Sequence, residues 1–444
     1  MDKRIVRLIA VAGAVTALPM MAQAGTEEAQ LRARLAEMES ENAALREAVG
    51  DRNLNDRQHE ELQRLTAEAA GDPDLARASF FAAGSAGYDK GFFISSDDGS
   101  FKLQHNAQIQ FRYVLNLQDN SSDDGREGFE MRRTKLKLKG HIYDDWHFAV
   151  SGGIYRNDGE FYLENAYIKR DLGDGWNVKF GQFKGPFLRE ELVSSAKQLL
   201  VERSLVNEYF NQDYTQGVQF GYENDQFRFH VMYNEGVNAD NTGALMEDVE
   251  FAFSGRAEML LNGDGDWSRF NDFTSPQDDE GFAALFGVGA HYQAAERGTG
   301  DGSGSTFNDT EVDWYGLTAD ASIECGGANA FASFVYVDAE MNPSGDAQMY
   351  GFTVQGGVYV AEDWELFGRY EWGDLDTSGV EDLSVVTVGF NHYIHGHNAK
   401  WTTDVGFGLD EISSPWSSSG AGWRSDASGE DGQIVARTQF QLLY

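Results

Sequence analysis

The stretch "FKLQHNAQIQFRYVLNL", Phe101–Leu117, decides how the rest of the chain is read. Every second residue from Phe101 is Phe, Leu, His, Ala, Ile, Phe, Tyr, Leu, Leu, and the residues between are Lys, Gln, Asn, Gln, Gln, Arg, Val, Asn. One face is oily and the other polar, with a period of two, which is the signature of a β-strand. The run is far longer than the roughly 5–6 residues usual in globular sheets. In a soluble sandwich the oily face would turn inward; in a wide membrane barrel it faces lipid and the polar face lines water.

The same device recurs to the C-terminus. Strands are predicted over 101–117, 129–140, 146–155, 160–171, 176–183, 216–223, 226–236, 250–261, 282–292, 312–323, 328–338, 348–360, 363–373, 382–394, 397–409 and 432–443. That is sixteen, an even number. Tight connections such as "DLGDG", "ENDQ", "CGGA" and "AED" alternate with long acidic ones such as "QDNSSDDGRE" and "EISSPWSSSGAGWRSDASGED". Short turns on one rim and long loops on the other mark an outer-membrane barrel. The stretch 262–281 is the exception, a long connection where a short one is due. Trp146, Trp176, Trp314, Trp364, Trp372 and Trp401 lie near strand ends, as an interfacial girdle requires. Closure pairs every strand edge, which lipid demands. The ending "ARTQFQLLY" alternates and stops on the aromatic Tyr444, like the C-terminal signal of barrels assembled in the outer membrane.

Composition bounds the partners. The 444 residues carry 50 Gly, 6 Pro and a formal net charge of -37, which repels nucleic acid. The single cysteine, Cys325, can form no internal disulfide. Residues 1–24 read as a secretory signal: basic "MDKRIVR", an apolar core, and small residues before cleavage after Ala24. Residues 25–70 read as a coiled coil with Leu31, Leu35, Met38, Asn42, Leu45 and Val49 on its seam, followed by a linker over 71–87 and the barrel over 88–444. An Asn in the seam fixes register and strand number at a cost in stability.

Parity then assigns the lumen. In "GFEMRRTKLKLKG", with Leu136 and Leu138 against lipid, Arg133, Lys135, Lys137 and Lys139 stack on the water side about 6.8 Å apart, at ~3.4 Å per residue. Lys102 and Arg112 share that side, and the same argument places Lys179, Arg228, Arg369 and Arg437 there. A column of cations offers an anion successive sites unless neighbouring acids cancel it. No nucleophile, base and orienter assemble into a catalytic site, so no enzyme is expected, and no cofactor. His392, His395 and His397 are close in sequence but alternate faces on a strand and have no carboxylate or Cys beside them, so no metal site is expected. The acidic loops lack a full EF-hand pattern.

The segment "GQFKGPFLREELVSSAKQLLVERSLVNEYFNQDYTQGVQFGYEND", 181–225, resembles the phosphate- and polyphosphate-selective porins, the O/P porin family. Gly181-Gln182-Phe183-Lys184, Pro186-Phe187, Glu190-Glu191-Leu192 and Glu202-Arg203-Ser204 carry the likeness, with Phe129, Arg132, Arg133, Leu138 and Gly140 on the second strand. The resemblance implies a sixteen-stranded all-β barrel, a homotrimer, and a loop over about 184–215 folded inward to narrow each pore. Lys184, Arg189, Lys197 and Arg203 are its candidate constriction cations, with Glu190, Glu191 and Glu202 beside them. The expected function is passive diffusion of small hydrophilic solutes, with anions or phosphate favoured by the basic ladder, across the bacterial outer membrane. The alternative is a structural barrel that tethers the outer membrane to peptidoglycan through a periplasmic coiled coil.

Overall fold

The computed structural model describes residues 85–118, 125–243, 249–261, 266–275, 281–294, 311–342 and 345–444. The signal, coiled-coil seam and most of the linker expected in 1–84 lie outside the described residues. The chain divides into two compact units, Met1–Ala86 with Ser95–Asp97, and Gly87–Ile94 with Asp98–Tyr444. Only residues 85, 86 and 95–97 of the first are described, as parts of the short strands β1 (Ser85–Tyr88) and β2 (Phe92–Ser95) and the bend after them.

The second unit contains a closed sixteen-stranded antiparallel barrel. Its strands run from β3 (Phe101–Leu117) to β18 (Ile434–Leu443), each paired with its neighbours in sequence, and β18 pairs with β3 to close the ring. Closure leaves no edge strand unpaired, so the whole wall can sit in hydrocarbon. All sixteen predicted strands are present, with ends shifted by a few residues.

The wall is apolar outside. Leu136 and Leu138 of β4 (Gly125–Ile142) are 44% and 41% exposed on the outer face. Trp146, Trp176 and Trp364 are exposed at strand ends, as the girdle requires. Trp314 is a correction: it is 2% exposed and packs inside the barrel against Phe187, ring centres 5.5 Å apart. Its place in the strand pairing puts it on the lumen face, where the inward loop covers it.

Among the described residues, at least three connections fold into the lumen. The first, 185–213, carries the short helices α1 (Arg189–Leu192) and α2 (Leu205–Phe210). Ser204 caps α2 by accepting from the Asn207 backbone N–H at 2.9 Å. The second is the long connection 409–433. Its Trp416 and Trp423 are buried in one apolar cluster with Phe187, Leu205 and Phe210. The third is the described part, 266–275, of the long turn between β10 (Phe251–Leu261) and β11 (Phe282–Ala294). Its Phe273 packs with Phe331, ring centres 4.8 Å apart, and with Val193, Leu199 and Leu200 of the inward loop. That unusual length is therefore used to fill the lumen from the short-turn rim.

Candidate functional site: the pore and its inward loop

The wall grips the backbone of the inward loop. Gln110 donates to Ser195 O at 3.2 Å, Gln441 to Ala196 O at 2.9 Å, Lys400 to Gln198 O at 2.8 Å and Asn391 to Leu199 O at 2.9 Å. Asp404 accepts from Val201 N–H at 3.1 Å, and Arg369 donates to Glu202 O at 2.9 Å and Arg203 O at 3.2 Å. Each bond contributes roughly 1 kcal/mol. Together they hold the loop against the wall formed by β15 (Trp364–Asp374), β16 (Leu383–His397), β17 (Ala399–Gly408), β18 and, across the closure, β3.

The centre of the arrangement is Glu202. It accepts from Arg112 Nη1 at 2.8 Å, Arg132 Nε at 2.7 Å and Arg133 Nη2 at 2.7 Å. Burial alone would raise this carboxyl, but the three guanidiniums hold it well below the ordinary value. Arg112 and Arg132 also donate to Gly420 O, and Arg437 donates to Ala421 O at 2.8 Å. The same arginines thus tie the second inward segment to the first.

Arg132, absent from the lumen residues that alternation assigns, faces the lumen beside Arg133. A β-bulge is the cause: Gln110 pairs with Arg133 and Phe111 with Met131, leaving Arg132 as the extra residue. The signal was in the sequence, because Phe129 and Met131 are apolar at odd positions and Leu136 and Leu138 at even ones.

The expected ladder divides into two sets. Most of its members are neutralised, which corrects the picture of a continuous cationic column. Arg112, Arg369 and Arg437 are buried, and the last two pair with Glu371 at 2.9 Å and Asp404 at 2.7 Å. Arg133 is bound to Glu202, Lys135 to Glu164 and Arg228 to Glu258. Lys102 pairs with Asp89 at 3.3 Å. In the loop, Lys184 and Arg203 both meet Glu191, Arg189 lies 3.7 Å from Glu258, and Lys197 lies 3.7 Å from Asp272. Burial would raise the Glu191 carboxyl, but Arg203 and Lys184 bring it below the ordinary value.

The second set is Lys137, Lys139 and Lys179, which make no ion pair among the described residues. Lys137 and Lys179 line a cavity of about 940 Å³ beside the loop. Its lining comes from the inner wall between Asn106 and Glu258, from the loop, from residues 395–398 and the C-terminal end, and from Tyr88 and Lys90, with Lys135, Lys184 and Lys197 also on its surface. Lys179 Nζ lies 3.7 Å from the centre of the Phe183 ring and 4.2 Å from that of Tyr167. These aromatic faces stabilise the ammonium without cancelling its charge. The three histidines are dispersed: His392 stacks on Trp364 at 4.3 Å, His397 meets Asp272 at 3.4 Å, and His395 lines the cavity.

A closed barrel with an apolar outer wall, an inward loop and a charged cavity is the architecture of an outer-membrane porin. The sequence profile of the family described as phosphate-selective porin O and P matches residues 101–407, and the chain belongs to that family. A relative described as an uncharacterized protein of Aquifex aeolicus (strain VF5) is 25% identical over 268 residues, which is 55% of this chain and 62% of that protein. The chain thus spans less than two thirds of that relative's length. Among solved structures, the anion-selective porin from Comamonas acidovorans superposes with a TM-score of 0.54 at 14% identity, over 78% of this chain and all of that one. An in-vitro folded OmpT of Vibrio cholerae, described as the trimer form, gives 0.51 at 13% identity, over 77% and 99%. At these identities the likeness is one of fold.

Proposed function

We propose that this porin passes small anions, phosphate among them, in preference to cations, and that it works as a homotrimer. The observation that carries the reading is the pair Lys137 and Lys179, which face the open cavity with no carboxylate partner among the described residues. In a narrow low-dielectric passage an uncancelled cation lowers the barrier for anions and raises it for cations. The neutralised arginines take a different role: they fix the inward segments. The anion-selective porin of like fold and the trimeric OmpT form support the same reading.

The test is the reversal potential of single channels in a KCl gradient. Wild type is expected on the anion-selective side, and Lys137→Glu and Lys179→Glu are each expected to move it toward cations with the channel still folded. A wild-type potential on the cation side, or two silent variants, would overturn the proposal. Phosphate at millimolar concentration should also lower the chloride current. Light scattering of the solubilised protein reports the trimer, and one barrel per particle would exclude it.

A further inference from the structure

The barrel's own N-terminal stretch, ahead of the first long strand, is folded into the pore. Residues Gly87–Ile94 belong to the same compact unit as the barrel. Within it, the lumen-facing side chains of Gln104 and Asn106 donate to Asp89 O and Lys90 O. Lys102, on the same face of β3, pairs with Asp89 at 3.3 Å and covers the Phe93 ring with its ammonium 4.6 Å from the ring centre. The turn is tight: Lys90 has φ +50° and Gly91 φ +144°. A Cβ on Gly91 would lie 2.2 Å from the Asn106 amide nitrogen, so only glycine lets the backbone approach this closely. Tyr88 and Lys90 line the same cavity as Lys137 and Lys179.

The register fixes the depth. Gln104 pairs across the sheet with Lys139, and Asn106 with Lys137. The turn therefore lies against the short-turn end of the lumen, beside the two unpaired lysines of β4. Lys90 itself makes no ion pair among the described residues.

We propose that the turn Tyr88–Phe92 is a strap fixed inside the periplasmic mouth of the pore, and that Lys90 on it is a charge-selecting residue of the exit. The strap's position is independent of which ion the channel prefers; the sign of the Lys90 effect rests on the anion reading above. The mouth would then carry a cation supplied by a segment outside the barrel wall, which strand alternation alone does not reveal.

The test uses the full-length channel with Cys325→Ser, to remove the exposed native thiol, and a single new thiol from Lys90→Cys. An anionic methanethiosulfonate reagent is applied to single channels, with labelling checked by mass. The expected result is a lower conductance and at least a two-fold fall in the anion-to-cation permeability ratio at 0.1 M salt. The shift should shrink at 1 M, where the screening length falls from about 10 Å to about 3 Å. The control is Arg170→Cys on the outer face, where Arg170 pairs with Asp145 at 3.2 Å and stacks on Trp146. A labelled K90C channel with unchanged conductance and potential, or an R170C channel that shifts equally, overturns the strap. If K137E and K179E are both silent while K90C labelling still lowers conductance, the strap stands and the anion reading fails. If K137E shifts selectivity and labelled K90C does nothing, the strap alone fails.

Discussion

Replacing Glu202 by Gln keeps the shape and removes the one charge on which three arginines converge. Glu202 is 2% exposed, so its partners cannot turn to solvent. Breaking a buried pair costs about 3–5 kcal/mol. Arg112 keeps Glu130 and Arg133 keeps Gln110, which puts the expected cost near the lower end, ~3 kcal/mol. Against this stand seven wall-to-backbone hydrogen bonds along 195–203, roughly 7 kcal/mol at ~1 kcal/mol each. The loop should therefore remain docked, with its undocked population raised by about a hundredfold from a low base. The channel should open normally, with more frequent brief closures. The uncancelled arginines should also move the reversal potential further toward anions. The assay is single-channel recording in a planar bilayer under a salt gradient. The double variant E202Q/R132Q restores the local charge and should bring the potential back toward wild type. A potential that is unchanged, or moves toward cations, in E202Q would refute the claim that Glu202 neutralises the arginine cluster.

Other outcomes follow from the same geometry. Leu138→Arg should block assembly, because a charge on the lipid face near mid-wall costs about 2–4 kcal/mol; heat-modifiable mobility on gels checks it against a folded K137E. Burial, with Glu191 beside it, pushes the Asp213 carboxyl up to about 7. The constriction thus gains a negative charge as pH rises through neutrality, and anion preference should be weaker at pH 8.5 than at 5.5, with Asp213→Asn reducing the difference. Since the ionised form is the one burial disfavours, this group's contribution to stability falls as pH rises from the unfolded value of about 4 toward 7. Trp416→Ala should free the connection 409–433, since its indole is buried against Tyr209 at a ring-centre distance of 5.0 Å and truncating such a residue costs about 3–5 kcal/mol. Faster proteolysis there, with an intact barrel, is the expected readout.

The barrel was legible because lipid imposes one rule on every strand. Phe101–Leu117 alternates as the sequence predicts, and the closed wall needs no information beyond such runs. The lumen obeys no single rule. Parity locates Arg369 and Arg437 on the inner face, but it carries no sign of the inward backbone that covers them: carbonyls more than 160 residues distant in sequence for Arg369, and that of Ala421 for Arg437. Arg132 escapes parity for a local reason, since one bulge reverses the alternation within a strand. Trp314 failed from the opposite cause: a tryptophan near a strand end has the same composition whether it anchors in the interface or packs under Phe187. The glutamates beside the loop cations were visible in sequence, but only the fold shows that Glu202 gathers three arginines from the wall while Glu191 serves Lys184 and Arg203.

Selectivity in this lumen is subtractive. Strand alternation supplies cations around much of the inner wall, and wall carboxylates such as Glu164, Glu258, Glu371 and Asp404 already pair with several of them. The inward segments then add further partners unevenly. They bring backbone carbonyls to arginines on β3, β10, β15 and β18, and the Glu202 carboxylate to Arg112, where guanidinium forks can bind two acceptors at once. They leave the lysines of β4 and β7 (Trp176–Lys184) facing the cavity. The division follows side-chain chemistry. A planar guanidinium is suited to pinning a loop, whereas an ammonium on a flexible stem can exchange partners with a passing ion. Lysine replacement of Arg369 should therefore loosen the loop even though the charge is kept, and arginine replacement of Lys137 should slow anion exit. These are opposite penalties for the same nominally conservative exchange, and single-channel closures and current amplitude separate them.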